Sequence, residues 1–268
     1  MKGGFVISAE KIKLHGDGDF KGMRAVGKLA SELLDLFVNE VKPGITTNYL
    51  DTFAYDFILD HGAIPAPLNY RGFTKSICTS VNHVICHGIP GERVLDEGDV
   101  VNIDVTLILD GWHGDTSRMY CAGVPSVKAK NLINNTYESM MKGINLIKPG
   151  VRLGDLGFII QENAEKNNYS VVREFCGHGL GKVFHDEPNI LHYGTEGTGE
   201  ELKEGMFFTV EPMVNIGRPD SKILSDGWTA VTRDRSLSAQ FEHSVGVTSS
   251  GVEIFTGSLN NSDNPINA

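Results

Sequence analysis

The 268-residue chain is poor in cysteine: Cys78, Cys86, Cys121 and Cys176 stand singly, and no two form a C-x-x-C pair. That spacing excludes an ordinary thiolate zinc site. A chain of this length builds its own core without disulfide staples, so reduced thiols in the cytoplasm are the expectation. Long apolar runs are missing too. None approaches the ~20 residues of a membrane span, and the apolar stretch within Met1–Ser8 is too short for the core of a secretory leader. Basic charge is scarce: 24 Lys and Arg face 34 Asp and Glu, a net charge of -10. This argues against a protein built to grip DNA or other nucleic acid, which needs a basic surface. Nucleotide loops are also absent. In Gly177-His178-Gly179-Leu180-Gly181-Lys182 the lysine is followed by Val183, where a phosphate loop needs Ser or Thr. No G-x-G-x-x-G follows a strand pattern.

What is present reads as an ordinary globular protein, with 40% hydrophobic and 22% charged residues. Apolar residues at steps of three and four predict a helix over 19–41, stopped by Pro43-Gly44. Thr47 is placed to cap a second helix ending at His61-Gly62. Strands follow, then helices over 126–147 and 153–167, then strands again. The segment 257–268 is a polar tail, expected to be loose.

This order is a repeat. Lys42-Pro43-Gly44-Ile45 recurs as Lys148-Pro149-Gly150-Val151, 106 positions later, and Leu95-x-Glu97-Gly98-x-Val100 recurs as Leu202-x-Glu204-Gly205-x-Phe207, 107 positions later. The second match aligns Asp104 with Glu211. A period this long exceeds that of a solenoid repeat. It predicts one domain over 1–256, built of two half-domains (about 19–122 and 125–256) related by a pseudo-twofold axis, with the site where they meet.

Acidic residues interrupt the strand patterns. Asp110-Gly111 separates two alternating runs and predicts a hairpin turn. A two-residue turn pairs Leu109 with Trp112, Asp104 with Ser117 and Thr106 with Asp115, all on one face for the last four. Asp104 and Asp115 become diagonal neighbours. Taken alone, such a face suits solvent as well as a ligand. The pattern recurs at Glu211, inside an apolar run before Pro212, and at Glu242, which shares a face with Gln240 and Ser244. Four converging carboxylates repel and desolvate one another, and two divalent cations would cancel their formal charge. Of the nine histidines, His15, His61 and His192 read as surface or capping residues. His178 lies among glycines that could bring backbone close to a ligand. His87 and His185 sit at loop or strand ends, where a structural role is the ordinary reading of each alone.

At this point the chain strongly resembles the type I (bacterial-type) methionine aminopeptidases. The resemblance rests on Cys78-Thr79-Ser80-Val81-Asn82 with Cys86-His87-Gly88-Ile89-Pro90, on Val101-Asn102-Ile103-Asp104-Val105, and on Gly114-Asp115-Thr116. It continues through Gly177-His178-Gly179, Phe184-His185, Thr209-Val210-Glu211-Pro212-Met213-Val214 and Ser238-Ala239-Gln240-Phe241-Glu242-His243. It covers about residue 8 to residue 256. It implies an α+β pita-bread (creatinase/aminopeptidase-like) fold with two pseudo-symmetric halves around an antiparallel sheet. It implies that Asp104, Asp115, His178, Glu211 and Glu242 ligate two divalent metals. A mostly oxygen donor set with one imidazole suits Co, Mn or Fe(II).

The implied reaction is removal of N-terminal methionine from nascent proteins through a dinuclear metal-activated water, with a small second residue preferred. Glu211 would move the proton, His185 would stabilise the oxyanion and His87 would contact the scissile amide. Tyr70, Phe73, Cys78, Phe184 and Trp228 would line the methionine pocket, although Phe73 equally suits plain core packing. The family further suggests a monovalent cation near Asn82, Val84 and Ser238, a monomer, and the ribosome as a candidate partner. His83, Thr74 and Lys182 depart from common family residues, and none is an implied ligand. A prolyl-type relative usually carries a large extra N-terminal domain, and a non-enzymatic relative tends to lose ligands that are all present here.

Overall fold

The computed structural model describes residues 12–264. The leader reading of residues 1–8 concerns positions outside the described residues, as do residues 265–268 of the tail. Phe20, Met23, Val26, Ala30, Leu33, Leu34 and Phe37 are all buried, and their spacing makes one helix, α1 (Asp17–Glu40). It starts two residues before the periodic pattern because the Asp19 carboxylate accepts a hydrogen bond from the Gly16 amide at 3.2 Å, closing the first turn.

Helix α2 (Thr47–Asp60) is capped by Thr46, not by Thr47 as the sequence suggests. The Thr46 hydroxyl accepts from the Tyr49 amide at 3.1 Å. Thr47 is engaged elsewhere: its hydroxyl donates to the Gly91 carbonyl at 3.0 Å and accepts from the Gly91 amide at 2.9 Å. Helix α3 (Val127–Leu146) is capped by Ser126, and α4 (Leu153–Lys166) by Asp155, which accepts from the Arg152 amide at 2.9 Å.

The repeat in sequence is a repeat in structure. Helices α2 and α4 have 14 residues each and begin 106 positions apart. Ahead of each, the Lys-Pro-Gly turn closes on the second repeated motif. The Gly44 amide donates to the Leu95 carbonyl, and the Gly150 amide to the Leu202 carbonyl. The return bonds, Leu95 to Ile45 and Leu202 to Val151, match as well.

Strands Val100–Leu109 and Trp112–Cys121 form the long hairpin, in register from Leu109↔Trp112 to Val100↔Cys121. Asp110 and Gly111 both have positive φ, 51° and 80°, as the turn requires. Cys78–Val81 pairs along the other edge of Val100–Leu109, with Cys78 opposite Asp104. In the second half an antiparallel sheet runs in the order Val252–Ile254, His243–Val247, Phe207–Val210, Gly177–Gly179, Asp186–Ile190. The halves join where Ser117 and Glu242 exchange backbone hydrogen bonds of 3.3 and 3.0 Å. Each half has its own apolar cluster, one around α1 and the hairpin, one around α3, α4 and the second sheet.

Gly114 lets α1 lie directly on the hairpin beside Asp115, since a Cβ there would stand 2.8 Å from the Val26 carbonyl oxygen. The tail is not loose between 258 and 263. Asp35 of α1 accepts hydrogen bonds from the Ser258 hydroxyl (2.8 Å) and the Asn260 side-chain Nδ2 (3.1 Å), and Asp263 lies 3.3 Å from Arg118. Its polar residues serve a fully buried guanidinium, because Arg118 also pairs with Asp35. Among the described residues no helix is long and apolar enough to cross a membrane, and all four cysteines are free.

Candidate metal centre

The hairpin register sets Asp104 opposite Ser117 and Thr106 opposite Asp115, as the turn predicts. Thr106 donates to Asp115 Oδ1 at 2.6 Å and fixes that carboxylate. From the other half, the Ser244 hydroxyl donates to the Asp115 carbonyl at 2.6 Å, and Thr116 donates to the Glu242 carbonyl at 2.7 Å. The strands bearing Asp115 and Glu242 are thereby stitched together.

His178 enters on strand Gly177–Gly179. Its amide donates to the Thr209 hydroxyl at 3.0 Å, and Thr209 donates in turn to Glu211 Oε1 at 2.8 Å. Its Nδ1 lies 3.0 Å from the Gly179 carbonyl, which leaves Nε2 facing Asp115 (3.5 Å) and Glu211 (3.6 Å). The flanking glycines bring backbone against backbone. A Cβ at Gly177 would stand 2.5 Å from the Thr209 carbonyl oxygen, and one at Gly179 would stand 2.2 Å from that of Glu187.

All five predicted acid and imidazole groups line one cavity of about 300 Å³. Asp115, His178 and Glu242 are the tightest set, each offering a donor atom within 4.8 Å of the others. Burial, reinforced by Asp115 and Glu211, holds the Asp104 carboxyl well above the usual range. Burial likewise raises Glu242, with Asp115 adding to it, and takes Glu211 to about 7 against the pull of His178. Burial opposes protonation of His178, but its bond to Asp115 and the Glu211 charge carry it to about 9. Among the described residues lining the cavity, Arg71 is the one permanent cation, and it is exposed at the rim. Four carboxylates, three of them buried and Asp104 half-buried, around one imidazole are short of positive charge. Their oxygen-rich donor set fits divalent metal ions.

The walls are aromatic. Tyr70, Phe73, Cys78, His87, Phe184, His185 and Trp228 all face this cavity. Phe73 and Trp228 meet edge to face at 5.2 Å, and Tyr70 and Phe184 are tilted against each other at 4.9 Å. His185 Nδ1 lies 2.9 Å from the Tyr70 hydroxyl. Burial, then His178, pushes His185 down to about 4, so its imidazole is neutral near pH 7. His87, left-handed at φ 55°, meets Phe175 edge to face at 5.5 Å.

Sequence reading missed Pro67, Arg71, Thr106, Glu174, Phe175, Cys176 and Met213 as lining residues. Several adjoin motifs that were noticed, namely Tyr70, His178 and Glu211. His15 and His192 are buried, and not at the surface. His15 stacks on Phe207 at 4.1 Å. His192, pushed down to about 3 by burial, accepts from the Glu211 amide at 3.0 Å and so braces that acid from behind. Of the implied cation-site residues, the Asn82 carbonyl accepts from the Ser238 amide at 2.9 Å, and Val84 lies on the neighbouring strand Val84–Cys86.

The sequence profile of metallopeptidase family M24 matches residues 21–249. The chain is 62% identical to the methionine aminopeptidase of Rickettsia prowazekii over 256 residues, covering 95% of this chain and 98% of that protein. It is 48% identical to the methionine aminopeptidase of Escherichia coli over 247 residues, covering 91% and 94%. The crystal structure of the Rickettsia prowazekii enzyme superposes with a TM-score of 0.91 over 91% of this chain and 99% of that one, at 62% identity.

Proposed function

This chain belongs to metallopeptidase family M24, and we propose that it hydrolyses the bond after an N-terminal methionine on nascent polypeptides. The observation that carries the reading is the convergence of four carboxylates, three of them buried, and one imidazole in an aromatic-walled cavity. The pita-bread fold of its relatives supports it. Asp104, Asp115, His178, Glu211 and Glu242 would hold two divalent ions, Co, Mn or Fe(II). Such ions supply Lewis acidity and bring the pKa of water near neutrality.

The protein's own groups do the rest. Glu211, braced by His192 and bonded to Thr209, takes up the proton and returns it to the leaving amine. The Tyr70 hydroxyl donates to His185 Nδ1 and leaves Nε2–H to meet the oxyanion. His87 contacts the scissile amide. Tyr70, Phe73, Cys78, Phe184 and Trp228 enclose the methionine side chain, and little room remains for a large second residue. The same reading carries a monovalent cation near Asn82, Val84 and Ser238. It also takes the protein as a cytoplasmic monomer, one domain over 1–256, that meets its substrates near the ribosome.

The test strips the protein of metal, adds Mn, Fe(II) or Co with a chelator control, and measures methionine released from Met-Ala-Ser and Met-Lys-Ser. Metal-dependent release from Met-Ala-Ser is expected. Folded protein that releases none with any metal would overturn the reading. Equal cleavage of both peptides would overturn the second-residue preference.

A further inference from the structure

We propose that Arg71 selects substrates by charge just downstream of the cleaved bond, favouring peptides with an acidic side chain at the third position. The inference rests on the aminopeptidase reading and names a preference within it.

The residue lies at the cavity mouth, exposed, while sharing the cavity with the acids on the floor. Its backbone is left-handed, φ 47°, between Asn69 (φ 67°) and Gly72 (φ 89°). An arginine gains nothing intrinsic from that conformation, and such outliers persist where the surroundings impose them. Here the turn is closed by the Tyr70 amide on the Pro67 carbonyl (2.9 Å), the Asn69 amide on the Phe73 carbonyl (2.7 Å) and the Phe73 amide on the Tyr70 carbonyl (2.9 Å). The tight turn therefore fixes where the Arg71 side chain starts.

Its end rests on an aromatic face. The guanidinium carbon stands 5.2 Å from the centre of the Tyr70 ring, and the same tyrosine holds His185 through its hydroxyl. The charge is thus anchored beside the groups that flank the scissile bond. Among the described residues no carboxylate lies within ion-pair distance of it. The other charged residue of the rim, Glu174, accepts a hydrogen bond from the Ser221 amide at 3.4 Å.

An unpaired guanidinium suits a carboxylate, which it can meet with two parallel hydrogen bonds. The setting makes its sign matter. The chain carries a net charge of -10, so its long-range field repels acidic peptides. Arg71 opposes that field at the mouth, where an extended peptide would leave the cavity at about 3.3 Å per residue.

The experiment uses the metal-loaded full chain and the variants Arg71→Ala, Arg71→Glu and Arg71→Lys. The probes are the amidated peptides Met-Ala-Asp-Ser-Gly and Met-Ala-Lys-Ser-Gly, whose blocked ends remove the terminal carboxylate. The readout is the ratio of kcat/KM for the two peptides. The unsubstituted protein should favour the aspartate peptide about three- to fivefold, mainly through KM, as expected for an exposed pair. Arg71→Lys should keep part of the preference, Arg71→Ala should lose it, and Arg71→Glu should reverse it. The preference should also shrink as salt rises from 0.05 to 1 M, because screening shortens to about 3 Å there. A ratio that is the same in all four proteins, or indifferent to salt, would overturn the role of Arg71. Absence of methionine release from either peptide by any of them would remove the aminopeptidase reading and this proposal with it.

Discussion

Thr106→Val tests the centre without touching any candidate ligand. Thr106 and Asp115 face each other across the hairpin, both buried, and the hydroxyl donates to Asp115 Oδ1 at 2.6 Å. Valine keeps the shape and removes the bond. A hydrogen bond to an ionised group contributes about 1.5–3 kcal/mol. At 1.36 kcal/mol per decade, that is roughly a tenfold to 150-fold change in an equilibrium constant. The bond holds the Asp115 carboxylate in one orientation, the pose in which it would hold a cation. The loss should therefore fall on metal affinity, by about 10–100-fold, as for other partners of ligands. Turnover at saturating metal should change only a few-fold, and Thr106→Ser should behave as the parent. The assay is methionine release against buffered free Mn(II), with isothermal titration of stripped protein beside it. Superimposable metal titrations for Thr106→Val and the parent would refute the argument that Thr106 holds Asp115 in place.

Three further outcomes follow from the same geometry. Glu211→Gln should lower turnover by about 10²–10⁴-fold while sparing most substrate affinity, and near-normal kcat would remove Glu211 from proton transfer. Metal-free protein should lose stability as pH rises from 7 to 9. His178 titrates at about 9 when folded, above its ordinary value of 6.5. Its stabilising proton is fully held below 6.5 and is lost as pH passes 9, and a change on the order of 2 kcal/mol falls between pH 7 and 9. Urea unfolding of chelated protein at the two pH values measures this, and greater stability at pH 9 would contradict it. Asp35→Ala leaves Arg118 with only Asp263 and backbone for company. Removing one partner of a buried pair costs about 3–5 kcal/mol, which is roughly 10 °C in Tm for a chain of this size. A calorimetric shift under about 2 °C would mean that the charge is satisfied in some other way.

Much of the centre could be read from the chain because its determinants are local. Asp110-Gly111 fixed the hairpin register, and with it the common face of Asp104, Thr106, Asp115 and Ser117, residue for residue. The offsets of 106 and 107 residues reappear in the bridges Thr46↔Val94 and Arg152↔Glu201. Alternation along a strand and the two-residue turn are short-range rules, and no distant contact overrode them here. Helix ends were less secure. Thr46 and Thr47 are equally good caps by residue type, and only the distant Gly91, which engages Thr47, decides between them.

What escaped the sequence depends on partners far along the chain. His192 passes for a surface residue until the Glu211 amide, 19 positions on, is seen to donate to it. The tail passes for a loose end for a related reason. Arg118 lies opposite Ile103, on the face of the hairpin that Gly114 presses against α1, where strand alternation calls for an apolar side chain. A charge placed there must be answered from elsewhere, since an unpaired buried guanidinium costs several kcal/mol. The answers are Asp35, 83 positions upstream, and Asp263, in a segment whose polarity by itself signals solvent. Read backwards, the rule becomes useful. A charged residue on the core face of a strand obliges some remote polar segment to fold over it, and the polar stretch from Ser258 to Asp263 is ordered for that reason.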